Sequence, residues 1–217
     1  MSTNLKVSAA LVAAFAAVVA AFLVVGRSDS GSTADGGAAG GVQVVREDSH
    51  RLGEPGAGDV TLVEFLDFEC EACASVYPFV EQLREDYAGQ VTFVARYMPM
   101  PGHANAENAA VAVEAAAEQG EFEAMYHRMY ETQAEWGEQQ ESQAALFRTF
   151  AGDLGLDMTA YDDAVADPAT LERVLADRDD GLALGVEGTP TFFLNGEKLQ
   201  VTTTTEFVAQ VEAALDE

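Results

Sequence analysis

Residues 59–73 read DVTLVEFLDFECEAC, and this stretch constrains the fold more than any other. Its first ten residues form a near-continuous apolar run of strand length, the pattern of a parallel strand covered on both faces. Directly after it come Cys70 and Cys73, the only cysteines of the chain, two residues apart. The following ACASVYPFVEQLREDYAG sets Val76, Phe79, Val80 and Leu83 on one helical side, with Gly89 as its stop and Pro78 as an expected kink. A buried strand therefore turns straight into a helix, and the two sulfurs lie at the turn.

The same patterning organises the rest of the chain. QVTFVARYMPM (90–100) reads as a second strand, and TFFLNGEKLQV (191–201) as a third strand, an Asn-Gly turn and a fourth. A last helix is expected from about Thr205 to Leu215. Residues 104–184 are rich in Ala, Glu and Leu at helical spacing and are punctuated by Gly120, Gly152, Gly155, Pro168 and Gly185. They read as several helices inserted between a βαβ half and a ββα half. The fold class is α/β, with one folded domain expected over residues 45–217 and its helical insertion over about 104–184.

Ahead of that domain, residues 7–25 contain no charge and are long enough as a helix to cross the hydrocarbon of a bilayer. They are expected to be a transmembrane anchor, with a cleaved signal peptide as the alternative. No cysteine follows them to carry a lipid. Residues 26–44, rich in Gly, Ser and Ala, read as a flexible linker. The amino terminus and Lys6, within residues 1–6, precede the apolar run and Arg27 follows it, which favours a cytoplasmic amino terminus and a domain outside the cytoplasm. Cell-membrane localisation with an exported catalytic domain is therefore expected, or secretion if the segment is cleaved. With 11 Lys plus Arg against 37 Asp plus Glu, the net charge of -26 would repel phosphate backbones, so nucleic acid is excluded as a partner. Lys6 and Lys198 are the only lysines, and the scattered acidic residues suggest a surface adapted to high salt.

The chemistry follows from the turn. At a helix start, unpaired backbone N–H groups and the helix dipole favour a thiolate, so Cys70 is the expected nucleophile. Cys73, one turn on, is within reach to resolve a mixed disulfide, and the pair would cycle between dithiol and disulfide. A zinc half-site would need two more ligands, and His103 and His127 show no metal-like spacing. No metal or cofactor is expected. An inert structural disulfide over so short a loop would add little stability. Glu64, inside the apolar strand, is an expected buried acid-base group, with a water-facing strand residue as the plain alternative. EGTPTFFLNG sets Pro190 just before a strand, where a cis bond would aim the Thr189 backbone at the sulfurs.

These residues together resemble the DsbA-like branch of the thioredoxin fold. VEFLDFECEAC is similar to that family's strand, buried Glu and CxxC; GVEGTPTFFLNG is similar to its cis-proline loop; GHANAENAAVAVEAAAEQGEF resembles the opening of its inserted helices. The resemblance implies an extracytoplasmic thiol-disulfide oxidoreductase that forms disulfides in unfolded or reduced exported proteins. It also implies re-oxidation by a quinone-linked membrane partner of DsbB-like or VKOR-like kind. Phe68, Thr189 and Pro190 are the expected substrate-binding residues. One departure is the Glu71-Ala72 pair between the cysteines, where strong oxidants of this type often carry Pro-His. Glu69 and Glu71 are expected to oppose the thiolate and make the couple a milder oxidant, leaving a reductase or isomerase open. A membrane-tethered holdase, binding peptides without redox turnover, is the alternative from another class.

Overall fold

The computed structural model describes residues 42–217. The apolar run at 7–25, and the linker up to residue 41, lie outside the described residues. Among the described residues no helix is long and apolar enough to cross a membrane.

The chain runs β1 (His50–Arg51), β2 (Thr61–Leu66), α1 (Glu71–Asp86) and β3 (Thr92–Tyr97). Five helices follow: α2 (Ala106–Ala117), α3 (Phe122–Trp136), α4 (Ala144–Asp153), α5 (Met158–Ala166) and α6 (Pro168–Ala183). The chain closes with β4 (Thr191–Leu194), β5 (Glu197–Lys198) and α7 (Thr204–Leu215). The sheet order is β1-β3-β2-β4-β5, with β2 and β3 parallel and the other pairs antiparallel. This is the expected βαβ half and ββα half around a helical insertion, with a two-residue edge strand, β1, added.

The central strand β2 is covered on both sides, as its apolar run demands. Alternation places Leu62, Glu64 and Leu66 on one face and Val63 and Phe65 on the other. Leu62 and Leu66 join the larger core with Cys73 and Leu83 of α1 and the helical insertion. Val63 and Phe65 join Val94, Met98, Val186 and Phe193 in a smaller core. Helix α6 covers that second face at Gly181, where a Cβ would stand 3.0 Å from Met98 Sδ and 3.0 Å from Phe65 Cδ1. Glycine inside a helix lowers stability by about 1 kcal/mol relative to Ala, and here the closeness of helix to sheet requires it. The β4–β5 turn takes positive φ at both Asn195 (51°) and Gly196 (86°), the conformation that Asn-Gly favours in a two-residue hairpin. The Asn195 side chain also accepts the Thr61 N–H at 2.9 Å, fastening the hairpin to the start of β2.

A buried ion cluster ties α6 and the domain's first residues to β3. Arg96 has a fully buried side chain and donates to Asp177 at 2.6 Å and Asp180 at 2.7 Å. Its remaining N–H groups reach the carbonyls of Gln43 (3.1 Å) and Val44 (2.7 Å). Arg173 bridges Asp177 at 2.8 Å and Asp48 at 3.0 Å, and Asp177 also accepts the Tyr97 N–H at 3.1 Å. Each buried charge is thus opposed, and Arg96 and Asp177 are also hydrogen-bonded, the condition under which such pairs persist. Arg96→Met, which leaves Asp177 and Asp180 without their central cation, is expected to lower the unfolding free energy by about 3–5 kcal/mol in urea titrations. A loss under about 1 kcal/mol would show that the cluster is not coupled to global unfolding.

Candidate active site

Cys70 is the N-cap residue of α1, with φ -69° and ψ 120°, and no side-chain hydrogen bond closes that cap. Its sulfur therefore stands where a capping Ser or Asp would put its oxygen, facing the first N–H groups of the helix. Both cysteines are free thiols, so this is the dithiol form. Cys70 retains 9 % of its surface and Cys73 none. The Cys70 pKa is brought down to about 5, first by the Cys73 thiol donating to its sulfur, then by Thr189 and the backbone N–H groups of Cys73 and Ala72, against the opposing effect of burial. As a thiol, Cys70 donates to the Thr189 carbonyl at 3.4 Å. Cys73 is driven strongly upward by burial, by the hydrogen bond it donates to Cys70, and by the charge of Glu64. At neutral pH the Cys70 sulfur is held as a thiolate and the Cys73 sulfur keeps its proton.

Of the two glutamates flanking Cys70, Glu69 does not act as the sequence suggests. Glu69 turns inward and accepts the Asn105 N–H at 2.5 Å, while its carbonyl accepts from the Gln133 side chain at 2.8 Å. Glu71 is exposed and faces Glu138, and the hydrogen bond and like charge between the two, with the Cys70 charge adding, raise the Glu71 pKa. The Cys70 pKa is lowered in spite of the charge on Glu71. Phe68 is a second correction. It is 1 % exposed, with its ring 5.2 Å from that of Tyr130 and 6.0 Å from that of Tyr126, and it packs the core instead of receiving substrate.

Thr189 and Pro190 lie beside Cys70, and the bond between them is cis. Below them a groove of about 300 Å³ runs between α1, β4 and α7, lined by Val76, Phe79, Pro190, Phe192, Leu199 and Phe207 among others. Its apolar lining was not legible locally, because three separate segments contribute to it.

Glu64 is 5 % exposed in mid-strand, opposite Ala95 on β3 and Phe192 on β4. It borders a cavity of about 10 Å³ with Leu52, Leu62, Val80, Phe93, Val94 and Phe192, room for about one water. Desolvation, then the charges of Glu81 and Cys70, raise its pKa to about 8. It is not a water-facing strand residue. Asp67 and His103 complete the surroundings, with Asp67 Oδ2 2.6 Å from His103 Nδ1. Neither is singled out by sequence, since 36 residues separate them. Among the described residues no group of three or more His, Cys, Asp or Glu is arranged to hold a metal.

Two outcomes follow for the reduced protein. Alkylation is expected to modify Cys70 alone at pH 6, with a rate that is half-maximal near pH 5, and modification of Cys73 first would reverse the assignment of the nucleophile. Glu64→Gln tests the buried carboxyl. Because the folded-state pKa lies above the ordinary value, the native protein holds a proton that the unfolded chain releases as pH rises from about 4.5 to about 8, and stability falls across that window. Glu64→Gln is therefore expected to be more stable than the parent by about 2–4 kcal/mol at pH 7, the gain shrinking below about 1 kcal/mol at pH 5. Urea unfolding at the two pH values reads the difference, and an equal gain at both would place the Glu64 charge in water.

Comparison with known proteins agrees with this geometry. A family model described as Thioredoxin matches residues 46–216. The structure is similar to a thioredoxin-like oxidoreductase from Silicibacter pomeroyi, with TM-score 0.67 and 24% identity over 81% of this chain and 97% of that one. It is also similar to alpha-DsbA1 from Wolbachia pipientis, with TM-score 0.66 and 17% identity over 79% of this chain and 93% of that one. Oxidised BdbD from Bacillus subtilis gives TM-score 0.65 and 19% identity over 75% and 92%. At these identities the likeness establishes the fold. Among curated proteins the chain is 36% identical over 155 residues to the Na(+)/H(+) antiporter NhaA 3 of Salinispora tropica, a match covering 71% of this chain and 23% of that protein. The Na(+)/H(+) antiporter NhaA 1 of Mycolicibacterium gilvum is 34% identical over 157 residues, 70% of this chain and 24% of that protein. The chain thus spans less than a quarter of the length of these relatives. With the family model covering most of the chain, and the helical insertion set between the two halves of the sheet, the protein belongs to the thioredoxin family in the DsbA-like form of its fold.

Proposed function

We propose that the protein is a thiol-disulfide oxidoreductase working in the oxidising direction on exported proteins. The observation that carries this reading is the pairing of a Cys70 sulfur at the mouth of the site, with its pKa near 5, and a wholly buried Cys73 held protonated. Stabilising the Cys70 thiolate stabilises the dithiol form, which makes the disulfide form a ready electron acceptor.

In the oxidising half-cycle a substrate thiolate attacks Cys70 Sγ of the Cys70–Cys73 disulfide. The new bond is a mixed disulfide, and Cys73 leaves as a thiolate that takes a proton from Glu64, directly or through one water. A second substrate thiolate then attacks the substrate sulfur of the mixed disulfide and expels Cys70. Two electrons pass from substrate to enzyme, the substrate gains its disulfide, and Cys70 departs as the stabilised thiolate. Re-oxidation runs in the opposite sense, with ionised Glu64 accepting the Cys73 proton. An extended substrate pairs with the Thr189 backbone while its apolar side chains enter the groove between α1, β4 and α7, which supports broad specificity.

The apolar run at 7–25 supports a membrane anchor with the catalytic domain outside the cytoplasm, where product disulfides persist. A quinone-linked membrane re-oxidase is the partner proposed to restore the Cys70–Cys73 disulfide. Oxidation of a reduced, unfolded protein by stoichiometric disulfide-form enzyme tests the reaction. The parent is expected to transfer its disulfide, Cys73→Ser to accumulate mixed disulfides through Cys70, and Cys70→Ser/Cys73→Ser to do neither. Equal protection of the substrate by the double variant, with no transfer by the parent, would establish the holdase reading instead.

A further inference from the structure

Asp67 and His103 take no part in the steps above, yet the chain holds them together with care. Asp67 lies three residues before Cys70 in the turn from β2 to α1, and its side chain is fully buried. Its Oδ1 accepts the Glu69 N–H at 2.8 Å, and its Oδ2 accepts the Met100 N–H at 2.9 Å and meets His103 Nδ1 at 2.6 Å. Its backbone carbonyl accepts the Cys70 N–H at 3.1 Å. The loop after β3 is fastened to the same turn at two further points, Met98 N–H to the Leu66 carbonyl at 2.7 Å and Asn105 N–H to Glu69 Oε2 at 2.5 Å. The His103 side chain, 32 % exposed, is therefore clamped against the turn that carries the nucleophile.

We propose that His103 is the positioning cation of the nucleophile: its imidazolium, oriented by Asp67, stabilises the Cys70 thiolate and supplies the positive charge that the Glu71-Ala72 dipeptide lacks. The charges around it favour protonation. Burial opposes it, but the Asp67 carboxylate outweighs burial, and the Cys70 thiolate and Glu69 add to it, so that the His103 pKa is raised. From the start of α1, Glu71 also faces His103, and Glu71 in turn faces Glu138 from the loop after α3. Beneath the sulfur lies Glu64, which interacts with the Cys70 charge. These three are carboxyl groups, which cannot stabilise a thiolate by charge. A cation at position 103 offsets them from outside the CxxC sequence.

This role takes its purpose from the disulfide exchange proposed above, but titration of the thiolate does not depend on that function, because it reads the reduced protein without substrate. His103→Gln removes the charge and keeps a polar group for Asp67; His103→Lys restores a charge. The position is partly exposed to solvent, and near-ultraviolet circular dichroism verifies that each variant is folded. Thiolate absorbance followed against pH is expected to show Cys70 half-ionisation moving up by about one unit in His103→Gln and staying near the parent value in His103→Lys. The reduction potential against glutathione is expected to fall in His103→Gln by about 30 mV, the equivalent of that tenfold change for a two-electron couple. Superimposable titrations of His103→Gln and the parent would overturn the proposal. So would a His103→Lys curve matching that of His103→Gln, because charge would then not be the agent.

Discussion

The N–H groups that open an α-helix have no partners within it, and in this protein the residue placed to receive them is a cysteine. Most of the structure can be understood as the support for that substitution. A capping Ser or Asp would satisfy the same groups and have nothing further to do. A sulfur satisfies them best as an anion, and the N–H groups of Ala72 and Cys73 add to the larger effect of the Cys73 thiol in lowering the pKa of Cys70. The position must also be held rigidly, and β2 ensures this. It is hydrogen-bonded to a strand on either side, covered on both faces, and ends a few residues before the cap. The sulfur stands just past the end of the strand that is paired on both edges and covered on both faces.

The buried polar groups sort into two kinds. Arg96, Asp177 and their neighbours compensate one another within a closed network, and their consequence is attachment of α6 and of the first described residues to the sheet. Glu64 has no such compensation. Desolvation dominates its titration, and it is left able to exchange a proton near neutral pH. The same low-polarity interior that makes the first group adhere makes the second group reactive.

What the sequence revealed depended on separation along the chain. Cys70, Cys73 and Glu64 lie within ten residues, so strand alternation and helix spacing were enough to place them. The Asn-Gly hairpin and Pro190 were legible for the same reason, since each is a local backbone preference. The Asp67–His103 pair spans 36 residues and Arg96–Asp177 spans 81, and neither has a local pattern to announce it. Phe68 misled because an aromatic residue beside a nucleophile suggests a binding surface, whereas the inserted helices bring Tyr126 and Tyr130 over its ring. Glu69 misled because its neighbour relation to Cys70 in sequence says nothing of where its carboxylate points. Strand β1, two residues long, is too short to show any periodicity.

The grip of Arg96 on the Gln43 and Val44 carbonyls has a mechanical meaning. A pull arriving along the chain from before residue 42 meets this guanidinium before it meets any strand. Arg96 is in turn held by two aspartates of α6 and lies in β3, beside β2. A load on the Gln43 and Val44 backbone is thereby shared by a helix and the sheet ahead of the edge strand β1. The junction is built like an anchor bolt, fixed to a helix and to the sheet at once.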